Sequence, residues 1–422
     1  MGNRSDRASG RTTPADLPNR RRFLRDLGLI ATLGTPFASL AGALDTGDGV
    51  TFAAGPRPLV RYPGKRPLIR VTTRPPHLET PFRVFNDGPI TANDAFFVRY
   101  HLANIPLSID TDSYRVSVKG SVKTPLNLSL QDLKSLAEPV EVVAVNQCSG
   151  NSRGFFAPRV FGAQLANGSM GNARWVGVPL HKVLEKAGIA AGAQQVTFNG
   201  LDTPLLPSTP DFRKALEIDH ALSPEPLLAW SMNGQDIPFL NGYPVKLIVP
   251  GNFGTYWVKH LTEIEVIDHP FDGQDAFFMK TAYRLPDNDC GCIAPGTVPE
   301  KTRPISTLPV RSFLTSVRNG DVLKAGTTVE LKGIAFDGGA GINSVDVSID
   351  GGRNWKPASL GRDLGRFSFR EWHLPARFAQ HGAAVLQVRA RNHRGEVQPE
   401  RADWNPAGYR RHVIESTTVT IA

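Results

Sequence analysis

The final third of the chain constrains the fold most tightly. From Val310 onward, "VRSFLTSV", "TTVELKGIAF", "INSVDVSIDGGRNW", "FSFREWHL", "AAVLQVRARN" and "TTVTIA" read as alternating strands, parted by Gly, Asn and Asp turns. Successive side chains of a strand point to opposite faces, so each run offers one face to a core and one to water. Strands at such spacing over about 120 residues predict an immunoglobulin-like sandwich. The Cys…Trp…Cys spacing of antibody domains is missing, so the pattern implies architecture alone. The turn-rich "IAPGTVPEKTRP" precedes the runs and sets this all-β domain at 299–422.

Residues 83–298 have another texture. "YRVSVKGSV", "VEVVAVNQC", "YPVKLIVPG" and "HLTEIEVID" read as strands. "SLQDLKSL" opens on a Ser N-cap with an acidic residue in its first turn, and "PLHKVLEKAGI" ends at a Gly; both read as helices. The order is mixed α+β, not a regular βαβ series. Residues 44–82 are proline-rich and basic, which predicts an extended segment running over the surface.

Charge is unevenly placed. The formal net charge is +9, and residues 1–43 hold seven arginines against three aspartates. The remaining body is mildly basic, which suits a small anionic substrate and argues against nucleic acid as a partner. "NRRRFLRDLGLIATLGTPFASLAGA" has the arginine-rich start, apolar stretch and small-residue site of an export signal. Its apolar part is too short for a permanent membrane span. Arg20-Arg21-Arg22-Phe23-Leu24-Arg25 is similar to the twin-arginine consensus, with Asn19 where Ser or Thr is commoner. Residues 1–43 are therefore expected to direct a folded, cofactor-loaded protein to the periplasm.

Three cysteines are too few for a disulfide scaffold. Cys290 and Cys292, in "PDNDCGCIAPG", either pair in a tight ring or stay free. No C-x-x-C-H occurs, so the chain attaches no c-type haem; zinc-site spacings and phosphate-binding loops are also absent. Cys148 is the thiol with chemical company. It ends an apolar run and is followed by the turn "SGNSR". It reads as a buried structural thiol, a nucleophile or a metal ligand. A nucleophile needs a base, and no His lies within 30 residues of it in sequence. A thiolate is a soft ligand for a metal. Arg99, His101 and Arg153 lie near apolar runs, and buried cations are costly without an anion to meet. Arginines beside a thiol point to an oxyanion site.

These segments carry a resemblance. "NDAFFVRYH", "NQCSGNSRG", "GNARWVGVPLHKVLEKAGI" and "YPVKLIVPGNFGTYWVKHLTEIE" resemble, in order and spacing, the molybdenum domain of the sulfite oxidase family. "VDVSIDGGRNW" and "DWNPAGYRR" resemble its C-terminal immunoglobulin-like, dimerisation-type domain, which allows a homodimer. The likeness runs from about residue 75 to the end and is nearest to the molybdenum subunit of bacterial sulfite dehydrogenases. It implies molybdenum held by one molybdopterin, with Cys148 as the protein's metal ligand. Arg99, Arg153 and Tyr283 match the substrate pocket, where guanidinium forks meet the oxygens of sulfite and sulfate. Tyr100, His101, Leu102, Ala103, Asn104 and Asp202 are the expected pterin contacts. Trp257, Val258 and Lys259 match its phosphate end. Asn241 and Lys246 stand where eukaryotic members have His and Arg, and Leu165 stands where the animal pocket has Trp. A further pocket arginine of relatives falls on Ala407, so Arg410 or Arg411 must substitute; Arg411 is preferred.

The resemblance implies oxygen-atom transfer that turns sulfite into sulfate, with two electrons leaving singly to a c-type cytochrome, bound as a subunit or met transiently. Three alternatives stand beside it. One is a sulfane dehydrogenase of a thiosulfate-oxidising complex. The second is a methionine sulfoxide reductase of the same superfamily, disfavoured because it lacks the C-terminal domain. The third is a non-catalytic oxyanion-binding protein in which Cys148 is merely buried.

Overall fold

Strand alternation and capping account for most of the elements in residues 57–422, the part of the chain that the computed structural model describes. The export signal expected at 1–43 and the start of the proline-rich segment lie outside those residues. Ser129 accepts the Asp132 amide while the Asp132 carboxylate accepts the Ser129 amide, a capping box that starts helix Leu130–Ser135. Helix Leu180–Ala187 stops at Gly188, whose φ of 68° lets its N–H turn back to Leu184.

Two five-stranded sheets build the first half. One runs Lys214–Glu217, Gln195–Gly200, Leu261–Ile267, Val116–Gly120, Leu126–Leu128. The other centres on Met170–Pro179, flanked by Val140–Gln147 and Leu227–Met232, and Lys246–Ile248 also pairs with Leu227–Met232. Trp175, Trp257, Phe96 and Phe198 fill the core between them.

The proline-rich segment departs from expectation. It does not run loosely over the surface. Leu59–Val60, Leu68–Thr72, His77–Glu79 and Val98–Arg99 form a four-stranded antiparallel sheet. Leu68, Leu78, His77 and Glu79 are buried. Pro58, Pro67, Pro75 and Pro76 sit outside the strands, where no ladder N–H is needed, so they do not break it. This pairing puts His77 opposite Arg99.

The last third is the expected sandwich. Arg311–Leu314, Thr328–Phe336, Arg370–Arg377 and Ser359–Leu360 make one sheet. Val322–Leu323, Ser416–Ile421, Gly382–Asn392, Ile342–Ser348 and Lys356–Pro357 make the other. Leu331, Trp372, Val345, Val388 and Val419 pack between them. The sandwich is joined to the rest by a shared apolar cluster that includes Phe85, Val145, Phe253, Tyr283, Phe313 and Phe369. Residues 57–422 accordingly fall within one compact unit. Among the described residues no helix is long and apolar enough to cross a membrane.

Candidate active site

Strand Val140–Gln147 delivers Cys148 to its end, where the Cys148 amide donates to Ser169 O at 2.9 Å. The thiol is free and half-buried. A tight turn follows: Asn151 N donates to Cys148 O, Arg153 N donates to Gly150 O, and Ser152 takes a left-handed φ of 69°. Cys148 and Ser149 line a cleft together with Arg99, His101, Asn146, Phe212, Asn241, Lys246, Thr255, Trp257, Lys259 and Tyr283, among others. No Asp or Glu lines it.

The cations there lack carboxylate partners. Lys246 is buried, with its Nζ 4.8 Å from the Trp175 ring centroid and 5.5 Å from that of Trp257. Burial, reinforced by Lys259 and Lys65, pushes its pKa well below the ordinary lysine value. Lys259 donates to Arg99 O at 2.7 Å over the Tyr100 ring, and burial lowers it to about 8 against the pull of Asp202. Asp202 is buried and its pKa is raised by desolvation, with Lys259 opposing. Arg99 makes no ion pair among the described residues.

Arg153 is held by backbone. Its Nε donates to Ala407 O at 2.9 Å. A Cβ on Gly150 or Gly162 would lie 2.8 Å from one of its guanidinium nitrogens, so both glycines are needed for the side chain to pass. The Tyr283 hydroxyl hydrogen-bonds His101 Nε2. The His101 ring stacks on Phe212 at 3.8 Å. Burial, with Arg99 next in effect, depresses the His101 pKa well below 6.5, which keeps the imidazole neutral.

The expected residues divide clearly. Cys148, Arg99, His101, Tyr283, Asn241, Lys246, Trp257 and Lys259 meet in one cleft. Tyr100 turns behind it, its hydroxyl 2.6 Å from His260 Nε2. Leu102 and Val258 are in apolar core. Ala103 and Asn104 lie at the edge, where Asn104 bridges to Thr203. Leu165 is buried. Arg411 does not reach the cleft: it pairs with Glu415, four residues on, over the Phe155 ring. A guanidinium largely out of water is drawn to the carboxylate within its reach, here Glu415. Arg410 instead donates to Cys290 O at 3.1 Å, and its amide donates to Ser149 O at 3.2 Å. Cys290 and Cys292 form a disulfide.

Several polar groups beyond the expected set line or back the cleft, and the expected His101 joins them with its second ring nitrogen. Ser149 Oγ, Asn146 Oδ1, Thr255 Oγ1 and His101 Nδ1 are buried with no hydrogen-bond partner. Such orphans are uncommon in a finished interior, and although others lie elsewhere, on Arg311, Arg370 and Arg411 among them, these four share one cavity. Lys65 reaches in from the proline-rich segment and donates to Asn241 Oδ1 at 2.5 Å. Lys214 donates to Phe278 O beneath the Tyr256 and Tyr283 rings.

These features fit a molybdopterin. Hydroxyl, amide and imidazole orphans suit a polar heterocycle, and lysines without carboxylates suit its phosphate. Among the described residues no cluster of three His, Cys, Asp or Glu exists, so Cys148 alone could not cage a metal; the other donors must come with the cofactor.

Comparison with known proteins agrees. Residues 101–275 match the oxidoreductase molybdopterin binding domain, and residues 302–414 the Mo-co oxidoreductase dimerisation domain. Sulfite oxidase of Gallus gallus is 33% identical over 367 residues, covering 83% of this chain and 78% of that protein. Sulfite oxidase of Arabidopsis thaliana is 31% identical over 380 residues, covering 84% and 94%. Mitochondrial sulfite oxidase of Homo sapiens is 33% identical over 334 residues, 76% of this chain, and the match spans 59% of that longer protein. The solved sulfane dehydrogenase SoxCD of Paracoccus pantotrophus superposes with a TM-score of 0.69 over 93% of this chain and 96% of that one. Its 22% identity speaks for the fold alone. With a molybdopterin-binding domain, a dimerisation domain and a thiol set in a cationic cleft, the chain belongs to the sulfite oxidase family of molybdopterin oxidoreductases.

Proposed function

We propose that this protein oxidises sulfite to sulfate in the periplasm, exported by a twin-arginine leader, and passes the electrons to a c-type cytochrome. One observation carries the reading: a free thiol and a set of cations without carboxylates share one cleft. Cys148 would ligate molybdenum; Lys246, Lys259 and the orphaned Ser149, Asn146 and Thr255 would hold the molybdopterin. When bound, that group supplies the oxygen-atom transfer and takes up the electron pair.

The chain's own residues do the rest. Arg99 and Arg153 bind and orient the dianion through charge-assisted hydrogen bonds. Tyr283, with its hydroxyl on a neutral His101, presents a fixed polar group at the cleft wall. Phe96, Phe97, Phe212 and Trp257 line the cavity with apolar surface that limits water. The dimerisation domain supports a homodimer as the assembled state.

A second reading, a protein-borne sulfane as substrate, draws support from exposed Leu107, Leu205 and Leu206. Their loops adjoin at the Asn104–Thr203 bridge, next to the cleft residue His101. The deciding measurement is molybdenum content together with sulfite-dependent cytochrome c reduction by the purified protein. Stoichiometric molybdenum with rapid reduction supports sulfite oxidation. Molybdenum without turnover of free sulfite favours the protein-borne substrate, and protein free of molybdenum would leave only oxyanion binding.

A further inference from the structure

The segment Asn405–Arg410 comes from the C-terminal sandwich and lies against Tyr283, which lines the cleft, and Arg153, which does not line it. Asn405 closes it into a loop, its Oδ1 accepting the Tyr409 amide at 3.0 Å and its Nδ2 donating to Tyr409 O at 2.8 Å. Gly408 has φ 61°, and a Cβ there would stand 2.8 Å from Arg153 Cγ. This position admits only glycine without displacing Arg153. The loop thus places Tyr409 where a cation was expected from sequence.

Tyr409 touches both partners with its ring. It stacks on Tyr283 with centroids 5.3 Å apart and planes 9° from parallel. The Arg153 guanidinium carbon lies 5.1 Å from its centroid. Tyr283 has φ 59°, a left-handed conformation unfavourable for a tyrosine unless its surroundings hold it. Those surroundings are the Tyr409 ring on one side and the Tyr283–His101 hydrogen bond on the other.

We propose that Tyr409 is a positioning residue of the substrate pocket: its aromatic ring holds Arg153 and Tyr283 in register, so that an oxyanion meets a fixed guanidinium and a fixed hydroxyl. The ring's negative face attracts the guanidinium without neutralising it, which a carboxylate would do. Arg153 therefore keeps its charge for the ligand. This inference rests on the oxyanion reading of the cleft, and its test separates the two.

Tyr409→Leu keeps the volume and removes the ring; Tyr409→Phe keeps the ring. In the molybdenum-loaded protein, Tyr409→Leu is expected to raise KM for sulfite roughly tenfold, with kcat changed less and molybdenum retained, while Tyr409→Phe stays within about twofold of wild type. Sulfate affinity, read by calorimetry, falls in parallel. A second series keeps size and fold constant: phenylalanine with increasing ring fluorination at 409 weakens the π-face, and KM and sulfate dissociation constant should climb stepwise. A flat fluorination series, or a leucine variant with wild-type KM and sulfate affinity, overturns the proposal. A wild-type protein that binds sulfate but leaves sulfite unoxidised sinks the proposed reaction only; the sulfate affinities of the variants then decide the role of Tyr409. A wild-type protein that binds no sulfate overturns both.

Discussion

Two regions of this molecule bury positive charge, and they do so in opposite ways. At the junction with the C-terminal sandwich, Arg311 is fully buried, donates to Ser152 Oγ at 2.7 Å and pairs with Glu415 at 3.1 Å; Arg411 shares the same carboxylate. Arg57 likewise meets the buried Glu79 at 3.0 Å. In the cleft, Lys246, Lys259 and Arg99 face one another's repulsion, with aromatic rings and carbonyls but no carboxylate on its walls. The junction answers its cations with carboxylates from within the chain, although Arg311 Nε and Nη1 and Arg411 Nε keep no hydrogen-bond partner. The cleft leaves its cations unanswered, and an open set of buried cations is stable only with an anion from outside. The difference separates structure from site without reference to any relative.

The sharpest way to break that comparison is Cys148→Ser. The half-buried thiol makes no side-chain bond to the rest of the fold among the described residues, so the substitution should cost about 1 kcal/mol of stability. If Cys148 is a metal ligand, the soft donor is lost and sulfite oxidation falls by several orders of magnitude. Molybdopterin should be retained, because the other groups proposed to hold it, Lys246, Lys259 and the orphaned polar atoms, are untouched. The charge-transfer absorption should change as well. Near-normal turnover in the serine variant would remove the ligand assignment and make the cleft's thiol a bystander.

A smaller effect is expected at the substrate end. Arg99→Gln and Arg153→Gln should each raise KM for sulfite about tenfold to a hundredfold with molybdenum content intact, the loss of one charge-assisted contact being worth about 1.5–3 kcal/mol. An unchanged KM in both would place these arginines with Arg311 and Arg411, as parts of the scaffold.

How far the sequence discloses this contrast depends on distance along the chain. The sandwich strands, the capping box at Ser129 and the stop at Gly188 are local patterns, and each reads directly. Cys148 stood out because a strand end and a turn are adjacent to it in sequence. The shape of the cleft is not local. It draws on strand Val98–Arg99, the turn after Cys148, Phe212, Asn241, Lys246, the 254–259 loop and Tyr283, which only the sheet pairings bring together. Lys65 and Lys214 each stand beside an arginine, Arg66 and Arg213, in ordinary polar stretches, and nothing beside them in sequence announces burial. The proline-rich segment reads as a surface strip because its prolines dominate the composition, although they flank the paired residues. At 410–411 the residue type was visible but its direction was not. Glu415, four residues beyond Arg411, was the available cue.

The smallest effect tests the electrostatics themselves, through a pair of substitutions with opposite signs. Glu415→Gln leaves Arg311 and Arg411 without their shared carboxylate; Glu415 is about a fifth exposed (22%), so the cost is discounted to about 2 kcal/mol. Lys214 is the reverse case. Burial lowers its pKa from 10.5 to about 7. The unfolded chain therefore binds the extra proton between pH 7 and 10.5, and stability rises with pH across that window. Its penalty is fully present below pH 7 and gone above 10.5. Lys214→Met removes the titration but also the donor to Phe278 O, a hydrogen bond worth about 1 kcal/mol. The two effects oppose each other. In molybdenum-free protein, thermal unfolding should show the methionine variant more stable than wild type at pH 6, and equal or slightly less stable at pH 10. The Glu415→Gln variant should be less stable at both. If Lys214→Met is instead destabilised equally across the range, Lys214 is as well satisfied as Arg311, and the distinction between an open cleft and a closed junction does not extend to the cleft's floor.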